Sequence, residues 1–212
     1  MSEPEPNLDR RSRKRLATRE AISVAATRLF LERGFDGVTV DEIAAAADVG
    51  RMTVFNHFPR KEDMFFDRDE EGREAVRAAL RQRDPAVTPI ETLRRLAHRL
   101  VAERSPYLEF SPASQGFIAT IEASEALRAR ARAIRDELAH VVAGALAESV
   151  GGDPADAEAQ LAAGMLLAVW TTAFIQAHRA FRDGQDATAV FLALIDRGSR
   201  GVISAMAGTP FG

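Results

Sequence analysis

The fold of this chain is decided by residues 39–63, which are TVDEIAAAADVGRMTVFNHFPRKED. Thr39 can cap a helix, and Glu42 lies three positions later, as in a capping box in which each side chain bonds a backbone amide at the other residue. The segment Asp48-Val49-Gly50 is a short turn containing glycine, which two helices crossing at a steep angle require. Helical spacing resumes over residues 51–58. The stretch therefore predicts a helix, a turn and a second helix.

A further helix is predicted just before this stretch. Its apolar side chains recur at positions i, i+3, i+4, i+7 and i+8, which places them on one face of an α-helix: Ile22, Ala25, Ala26, Leu29 and Phe30. Gly34 then provides a stop, because a residue without Cβ tolerates the backbone conformation that ends helices. Three short helices thus form one unit.

The residues 39–49 and 52–63 closely resemble the amino-terminal domain of tetracycline-repressor (TetR) family regulators, including its closing Lys61. The resemblance covers about fifty residues, whereas the rest of the chain matches only in length and helical character. Gly50 replaces the Ser that the family often has, which weakens a helix cap, and Phe55 replaces a Tyr whose hydroxyl often meets phosphate. The resemblance implies an all-α protein, in which a three-helix helix-turn-helix DNA-binding domain joins a larger helical ligand-binding and dimerisation domain.

By this resemblance the third helix lies in the major groove of DNA. Arg51 at its start can donate two hydrogen bonds to guanine. Hydroxyl, imidazole and ammonium groups suit phosphates, and apolar side chains suit a thymine methyl. We predict DNA contacts for Thr39, Arg51, Met52, Thr53, Phe55, Asn56, His57 and Lys61. A structural role is the alternative for His57, and Thr39 has the alternative of a helix cap alone.

Charge is distributed unevenly along the chain, whose net charge is −3. Residues 10–61 contain eleven Lys or Arg against six Asp or Glu, and the positive charges are densest at residues 10–15. A flexible arm of this kind can reach phosphates or a minor groove. We predict that residues 1–17 form a flexible basic arm, with a solubilising tail as the alternative.

The remaining chain is predicted to be helical as well, because no stretch alternates with a period of two. We expect the DNA-binding domain at residues 18–66 and the helical effector-binding and dimerisation domain at residues 67–212. Residues 61–83 are predicted to form one connecting helix. Proline and glycine breaks divide the rest of the larger domain into helices near residues 88–104, 114–122, 124–149, 153–182 and 186–206.

The last two helices are predicted to form an assembly surface. Residues 161–175 are apolar nearly all round, as expected when one side packs on its own core and the other against a neighbour. The resemblance implies a four-helix bundle of residues 153–182 and 186–206 with a second copy, and hence a homodimer on a palindromic, double-stranded DNA operator. An ordinary monomer core is the alternative.

The middle helices are predicted to hold a small-molecule effector of unknown identity. Such sites are mostly apolar with a few polar groups, which favours a lipophilic or aromatic ligand. The candidates, each of which could instead be a core residue, are Phe110, Phe117, Ile118, Ile121, His140, Leu167, Trp170, Thr171 and Phe174.

The sequence contains no pattern typical of an enzyme. It has neither a His-Glu-x-x-His nor a Gly-x-Ser-x-Gly motif, and the absence of cysteine excludes disulfides and thiol catalysis. We therefore predict no catalysis, no metal and no cofactor. A secretion signal and a membrane span are not expected either, the latter because the longest apolar run falls short of the roughly 20 residues that cross a bilayer; we predict a cytoplasmic protein.

The leading hypothesis is a transcriptional repressor that an effector releases from DNA. Alternatives within the same fold are an activator and a regulator that binds DNA only with its ligand. A helical small-molecule-binding protein or enzyme without DNA activity is the alternative from another class.

Overall fold

The computed structural model describes residues 9–212, except the side chain of Tyr107, and within them every regular element is a helix. The predicted all-α class is confirmed. In chain order the α-helices are α1 Arg10–Arg33, α2 Val40–Ala46, α3 Arg51–His57, α4 Lys61–Phe65, α5 Asp69–Arg81, α6 Pro89–Ala102, α7 Pro112–Ala123, α8 Glu125–Ser149, α9 Ala157–Arg182 and α10 Ala187–Ala205, with a 3-10 turn at Pro106–Leu108.

The chain divides into two compact units. Unit 1 contains the chain up to Asp67 together with Gly116–Arg130, and unit 2 contains Arg68–Gln115 and Ala131–Gly212. The predicted domain boundary near residue 66 lies at the end of the first segment. The assignment of Gly116–Arg130 to unit 1 differs from the prediction, which placed all of residues 67–212 in one domain.

Unit 1 has a core of aromatic and aliphatic side chains from α1 to α4. Ile22, Phe30, Val54 and Phe58 are fully buried, as their helical spacing predicted. Gly34 ends α1 with φ +77°, and its amide donates to the Phe30 carbonyl at 2.9 Å. The glycine is required because residues with Cβ rarely adopt this backbone conformation.

The turn between α2 and α3 depends on a left-handed residue that is not a glycine. Asp48 has φ +53°, a conformation that Asp tolerates better than most residues. The next amide, of Val49, donates to the Ala44 carbonyl at 3.0 Å and so satisfies an orphan acceptor at the end of α2. The turn redirects the chain into α3 at Gly50, which provides no side-chain cap.

Two sequence predictions about connecting segments are wrong. Residues 61–83 do not form one helix, since α4 ends at Phe65 and α5 begins at Asp69. Residues 10–17 are not a flexible arm but the first turns of α1, which Asp9 caps by accepting the Ser12 amide at 2.6 Å. Residues 1–8 of the predicted arm lie outside the described residues.

Unit 2 is held together by close packing of its last two helices. Helix α9 contributes small buried side chains, including Ala162, Ala173 and Ala177. Val169 of α9 lies so close to Gly198 of α10 that a Cβ at position 198 would overlap both of its methyl groups. The glycine therefore sets how closely α9 and α10 approach.

Helix α9 is also the one described helix that is long and apolar enough to cross a membrane by length and composition, with a mean hydropathy of 1.4 over 18 residues. Because the helix has 26 residues, the sequence argument that the apolar run is too short to cross a bilayer no longer applies. Buried core helices of soluble proteins have the same composition. Leu161 and Ile175 remain exposed, at 55% and 44%.

Candidate nucleic-acid interface and ligand cavity

Helix α3 presents two faces with different roles. Val54 and Phe58 have no exposed surface and fix the helix to the core of unit 1. Met52 and Asn56 on the opposite side are exposed, as is Arg51 in the first turn, and the Met52 side chain is 71% accessible. An exposed large apolar side chain beside polar ones gives this face the chemistry needed to contact base edges.

Arg51 is paired but not immobilised. Its Nη1 donates to Asp41 Oδ2 at 2.8 Å, and both side chains are more than half exposed. Exposed ion pairs of this kind contribute about 0–1 kcal/mol. The guanidinium can therefore exchange Asp41 for another acceptor at little cost.

Thr39 caps α2 as predicted. Its hydroxyl accepts the Glu42 amide at 3.3 Å, and the Glu42 carboxylate accepts the Thr39 amide at 2.8 Å. These bonds, together with Arg33, lower the pKa of Glu42 to about 2. The capping box is thus confirmed, whereas a phosphate contact by the exposed Thr39 hydroxyl stays a prediction.

Lys61 has a structural role that the sequence did not indicate. Its ammonium donates to the Phe35 carbonyl at 2.5 Å and lies 4.2 Å from the centre of the Phe35 ring. Burial lowers the pKa of this lysine, against the effect of nearby carboxylates. Lys61 thus braces the segment after α1, and a phosphate contact by its remaining N–H groups stays a prediction.

The carboxyl end of α3 is held by α1. Arg19 donates to the His57 carbonyl at 2.8 Å and lies over the Phe58 ring at 4.0 Å. Burial, and then Arg15 and Arg19, lower the pKa of His57. The ring is therefore neutral near pH 7, and His57 can offer a phosphate a hydrogen bond but not a full charge.

The first turns of α1 carry the densest positive charge of unit 1. Five basic side chains there are accessible to solvent and form no ion pair with any residue that the structure describes: Arg10, Arg11, Arg13, Lys14 and Arg15. Since Arg15 acts on the His57 ring, these turns lie on the same side of unit 1 as the end of α3. The basic turns therefore place positive charge beside the end of α3, which suits a phosphate backbone.

Unit 2 contains an apolar cavity of about 440 Å³, lined by α5, α6, α8, α9 and Leu108. Four of the predicted effector residues lie on its wall: Leu167, Trp170, Thr171 and Phe174. Arg135 is the one charged side chain of the lining. The volume suits a small organic molecule.

The other five predicted effector residues do not line this cavity. Phe117, Ile118 and Ile121 belong to unit 1, where Phe117 stacks on Phe65 with ring centres 4.3 Å apart. His140 is exposed, and its Nδ1 lies 2.8 Å from the Asp136 carbonyl. Phe110 packs on Phe191 in the core of unit 2. Phe110, Phe117 and Ile121 thus pack against the cores of their units instead.

Sequence reasoning missed most of the cavity wall. Leu93, Leu96 and Leu100 of α6 recur at i, i+3 and i+7, and Ile134, Leu138 and Val142 of α8 recur at i, i+4 and i+8. This periodicity marks a buried helix face. It does not distinguish a face that meets a cavity from one that meets another helix.

Comparison with known proteins agrees with the site geometry. The family model described as bacterial regulatory proteins, tetR family, matches residues 22–67. These residues contain α2, its capping box, the Asp48 turn and α3. Among residues 9–212 no group of three His, Cys, Asp or Glu side chains could hold a metal ion.

Relatives with assigned names are regulators. The chain is 35% identical over 83 residues to the HTH-type transcriptional regulator TcmR of Streptomyces glaucescens, a match that covers 39% of this chain and 37% of that protein. The match thus spans little more than a third of the length of TcmR, and the shared residues establish kinship mainly at the amino-terminal domain.

Solved structures extend the likeness of the fold. NalD of Pseudomonas aeruginosa, described as the secondary repressor of the MexAB-OprM multidrug efflux pump, is 23% identical, with a TM-score of 0.58 over 88% of this chain and 97% of its own. A SmeT–triclosan complex is 20% identical, with a TM-score of 0.57 over 89% and 91%. The helix-turn-helix residues and the family model agree that residues 22–67 form a DNA-binding domain of the TetR type, and the fold of the chain is similar to that of solved TetR-family regulators.

Proposed function

We propose that the protein is a cytoplasmic transcriptional repressor, which binds a palindromic DNA operator as a homodimer and leaves it when a small apolar effector binds. The observation that carries the proposal is the exposed face of α3, where Arg51, Met52 and Asn56 stand on a helix fixed by Val54 and Phe58. A rigid helix with an exposed polar and apolar face can distinguish base pairs in the major groove.

Arg51 provides base discrimination in this proposal, since a bidentate contact to guanine contributes about 1–3 kcal/mol. Thr53, Asn56 and His57 add hydrogen bonds, and Met52 and Phe55 add apolar contact. The basic turns at the start of α1 supply the sequence-independent attraction to phosphates that raises affinity at low salt.

A second copy of the chain covers the exposed side of α9. From residue 161 to residue 178 this helix contains no Asp, Glu, Lys or Arg, and its exposed positions are small or apolar: Leu161, Gly164, Ala168, Thr172 and Ile175. Apolar area exposed in this way is typical of an interface between subunits. Pairing of α9 and α10 with their symmetry mates places the two α3 helices of the dimer on the two half-sites of the operator.

The cavity of unit 2 receives the effector. Its lining is almost wholly aliphatic and aromatic, which favours a lipophilic ligand. The SmeT–triclosan complex supports a small aromatic ligand as a reasonable class.

The effector releases the protein from DNA if it prefers a conformation in which the two α3 helices no longer match the operator. An effector with equal affinity for both conformations changes nothing. Helix α5 directly follows unit 1 and contributes Gly72 and Val76 to the cavity, and α8 supplies Leu127 to unit 1 and Ile134 to the cavity. These two helices are the route by which an occupied cavity alters the DNA-binding unit.

The test is footprinting of the purified protein on the intergenic DNA beside its own gene, with random duplex as competitor. We expect a protected palindrome. Arg51→Ala should reduce specific binding by about tenfold or more, or at least 1.4 kcal/mol, while Arg99→Ala on the exposed surface of α6 should not. Equal binding to operator and random DNA would instead support a helical ligand-binding protein.

The sign of regulation can be measured with the same operator. An effector that weakens operator binding identifies a repressor of the proposed kind. One that strengthens binding identifies a ligand-dependent DNA binder, and reporter expression with and without the protein separates a repressor from an activator.

A further inference from the structure

One buried histidine of unit 2 has a hydrogen-bonding atom without a partner. His178 of α9 is 3% exposed. Among the residues that the structure describes, none forms a hydrogen bond with its Nε2, which is itself inaccessible. Since most buried polar atoms in folded proteins are paired, an unpaired one requires an explanation.

The partner of the other ring nitrogen determines what Nε2 can do. The Gln115 side-chain nitrogen lies 2.8 Å from His178 Nδ1 and 3.4 Å from the His178 carbonyl oxygen. A carbonyl oxygen only accepts, so the atom beside it must be the amide nitrogen, which only donates. His178 Nδ1 is therefore the acceptor and lacks a proton, and the neutral ring carries its proton on Nε2.

The ring is also kept neutral by its surroundings. Burial, with a smaller effect of the Arg182 charge, lowers the pKa of His178. At neutral pH the protein thus buries an N–H donor for which no described residue supplies an acceptor.

The position of His178 connects it with the cavity. Leu167, Thr171 and Phe174 line the cavity, and His178 follows them at the next position of the series i, i+4, i+7, i+11, on the same face of α9. The Phe174 ring meets the His178 ring edge-on with centres 4.4 Å apart. Phe174 therefore contacts both the cavity and the histidine.

We propose that the Nε2–H of His178 anchors the effector by donating a hydrogen bond to it. The ligand class is then an aromatic or aliphatic body that ends in a neutral acceptor, such as a ketone, aldehyde or ether oxygen. His178 itself does not line the cavity, so the proposal requires the Phe174 side chain between them to rotate when the effector binds. The inference rests on the proposed function, since it assigns the chemistry of the same effector site.

Other ligand polarities fit this site less well. A protonated amine only donates and therefore leaves Nε2–H unpaired. An ionised carboxylate must lose its hydration in a cavity whose one charged lining residue, Arg135, already pairs with Asp136 at 2.9 Å, and burying a charge is costly unless it displaces such a partner. A neutral acceptor satisfies the donor and keeps the apolar contacts.

A matched pair of probes tests the anchor. 2-Acetylnaphthalene and 2-isopropenylnaphthalene have nearly the same shape, but only the ketone has an acceptor oxygen. Affinities for both are measured by calorimetry on the full-length protein and on His178→Leu. We expect the ratio of ketone to alkene affinity to fall at least tenfold in His178→Leu, with alkene affinity retained as evidence that the variant is folded.

Two further variants make the result specific. His178→Gln restores a donor near the Nε2 position and should recover part of the ketone preference, whereas His140→Leu changes an exposed histidine and should leave the ratio unchanged. An unchanged ratio in a folded His178→Leu would overturn the anchor but not the cavity. Failure of both probes to bind the wild-type protein would overturn the apolar effector site and the anchor with it, while the operator footprint would stand independently.

Discussion

Helix α3 and the ligand cavity differ in how far apart in the sequence their contacting residues lie. In unit 1 the capping box joins residues three apart, and the whole helix-turn-helix lies between Thr39 and Phe58. The cavity draws its wall from α5, α6, α8 and α9, over about a hundred residues between Gly72 and Phe174. Local contacts hold the exposed face of α3 rigid, whereas the shape of a cavity between four helices changes whenever one of them moves.

This difference has a consequence for mutation. On α3, side chains that point inward stabilise the fold, and those that point outward are the ones proposed to contact DNA. The effects on stability and on DNA binding can therefore be separated residue by residue. Around the cavity several lining side chains, including Leu93, Leu96, Val142 and Leu166, also belong to the core. A change there is expected to affect ligand binding and stability together.

The largest expected effect compares two side chains of the helix-turn-helix. Phe58 is fully buried and Met52 is 71% exposed. Phe58→Ala should lower the free energy of unfolding by about 3–5 kcal/mol, and Met52→Ala by less than about 0.5 kcal/mol while it weakens operator binding. Urea denaturation followed by circular dichroism measures both, and similar losses would contradict the assignment of the two faces.

The second effect concerns the approach of α9 and α10 in unit 2. Gly198→Ala places a methyl group against Val169, and we expect a destabilisation of about 1–3 kcal/mol by overpacking. Gly201→Ala on the same helix meets nothing within 4 Å and should be neutral or stabilising, because alanine favours helices. Thermal unfolding of the two variants compares them, and a stable Gly198→Ala would show that the helices separate easily.

The third effect is a loss of ligand binding without a loss of DNA binding. Ala75→Leu adds three carbon atoms at the cavity wall and should weaken binding of 2-isopropenylnaphthalene about tenfold, or 1.4 kcal/mol. Operator affinity without ligand should remain. Ala102→Leu, at an exposed position of α6, serves as the control, and equal ligand affinity in both variants would place the ligand elsewhere.

The smallest effect is a pH dependence in the capping box of unit 1. The pKa of Glu42 is lowered from 4.5 to about 2 in the folded protein, so its stabilising contribution is complete above pH 4.5 and disappears as pH falls towards 2. The difference in Tm between wild type and Glu42→Ala should therefore narrow over that range. A constant difference between pH 7 and pH 2 would mean that the carboxylate does not act through its charge.

Several features of unit 1 could be predicted because their causes are local. Each can be recognised from residues that lie close together in the sequence: the hydroxyl and carboxylate of the capping box, the glycine that ends α1, and the apolar stripe from Ile22 to Phe30. The bracing contact of Lys61 could not be predicted, because nothing near this residue in the sequence indicates the Phe35 carbonyl, 26 residues earlier. The break between α4 and α5 escapes prediction because no proline or glycine marks it.

The cavity could be predicted only in part. Residues 167–174 of α9 can be identified from their apolar character, but Phe117 and Ile121 have the same character and pack in unit 1. Hydropathy reports that a side chain is buried and does not report which helix covers it. The unpaired Nε2 of His178 is likewise invisible in sequence, because its partners on other helices decide whether it is satisfied.

The sequence by itself determined the helical class, the helix-turn-helix and its likeness to TetR-family regulators, because helix caps, turns and apolar periodicity act over three to eleven residues. The tertiary structure alone decided that residues 116–130 belong to unit 1, that Lys61 braces a loop and that four helices enclose a cavity beside a buried histidine. These features depend on contacts between residues distant in the chain, and those contacts exist only after the helices have packed.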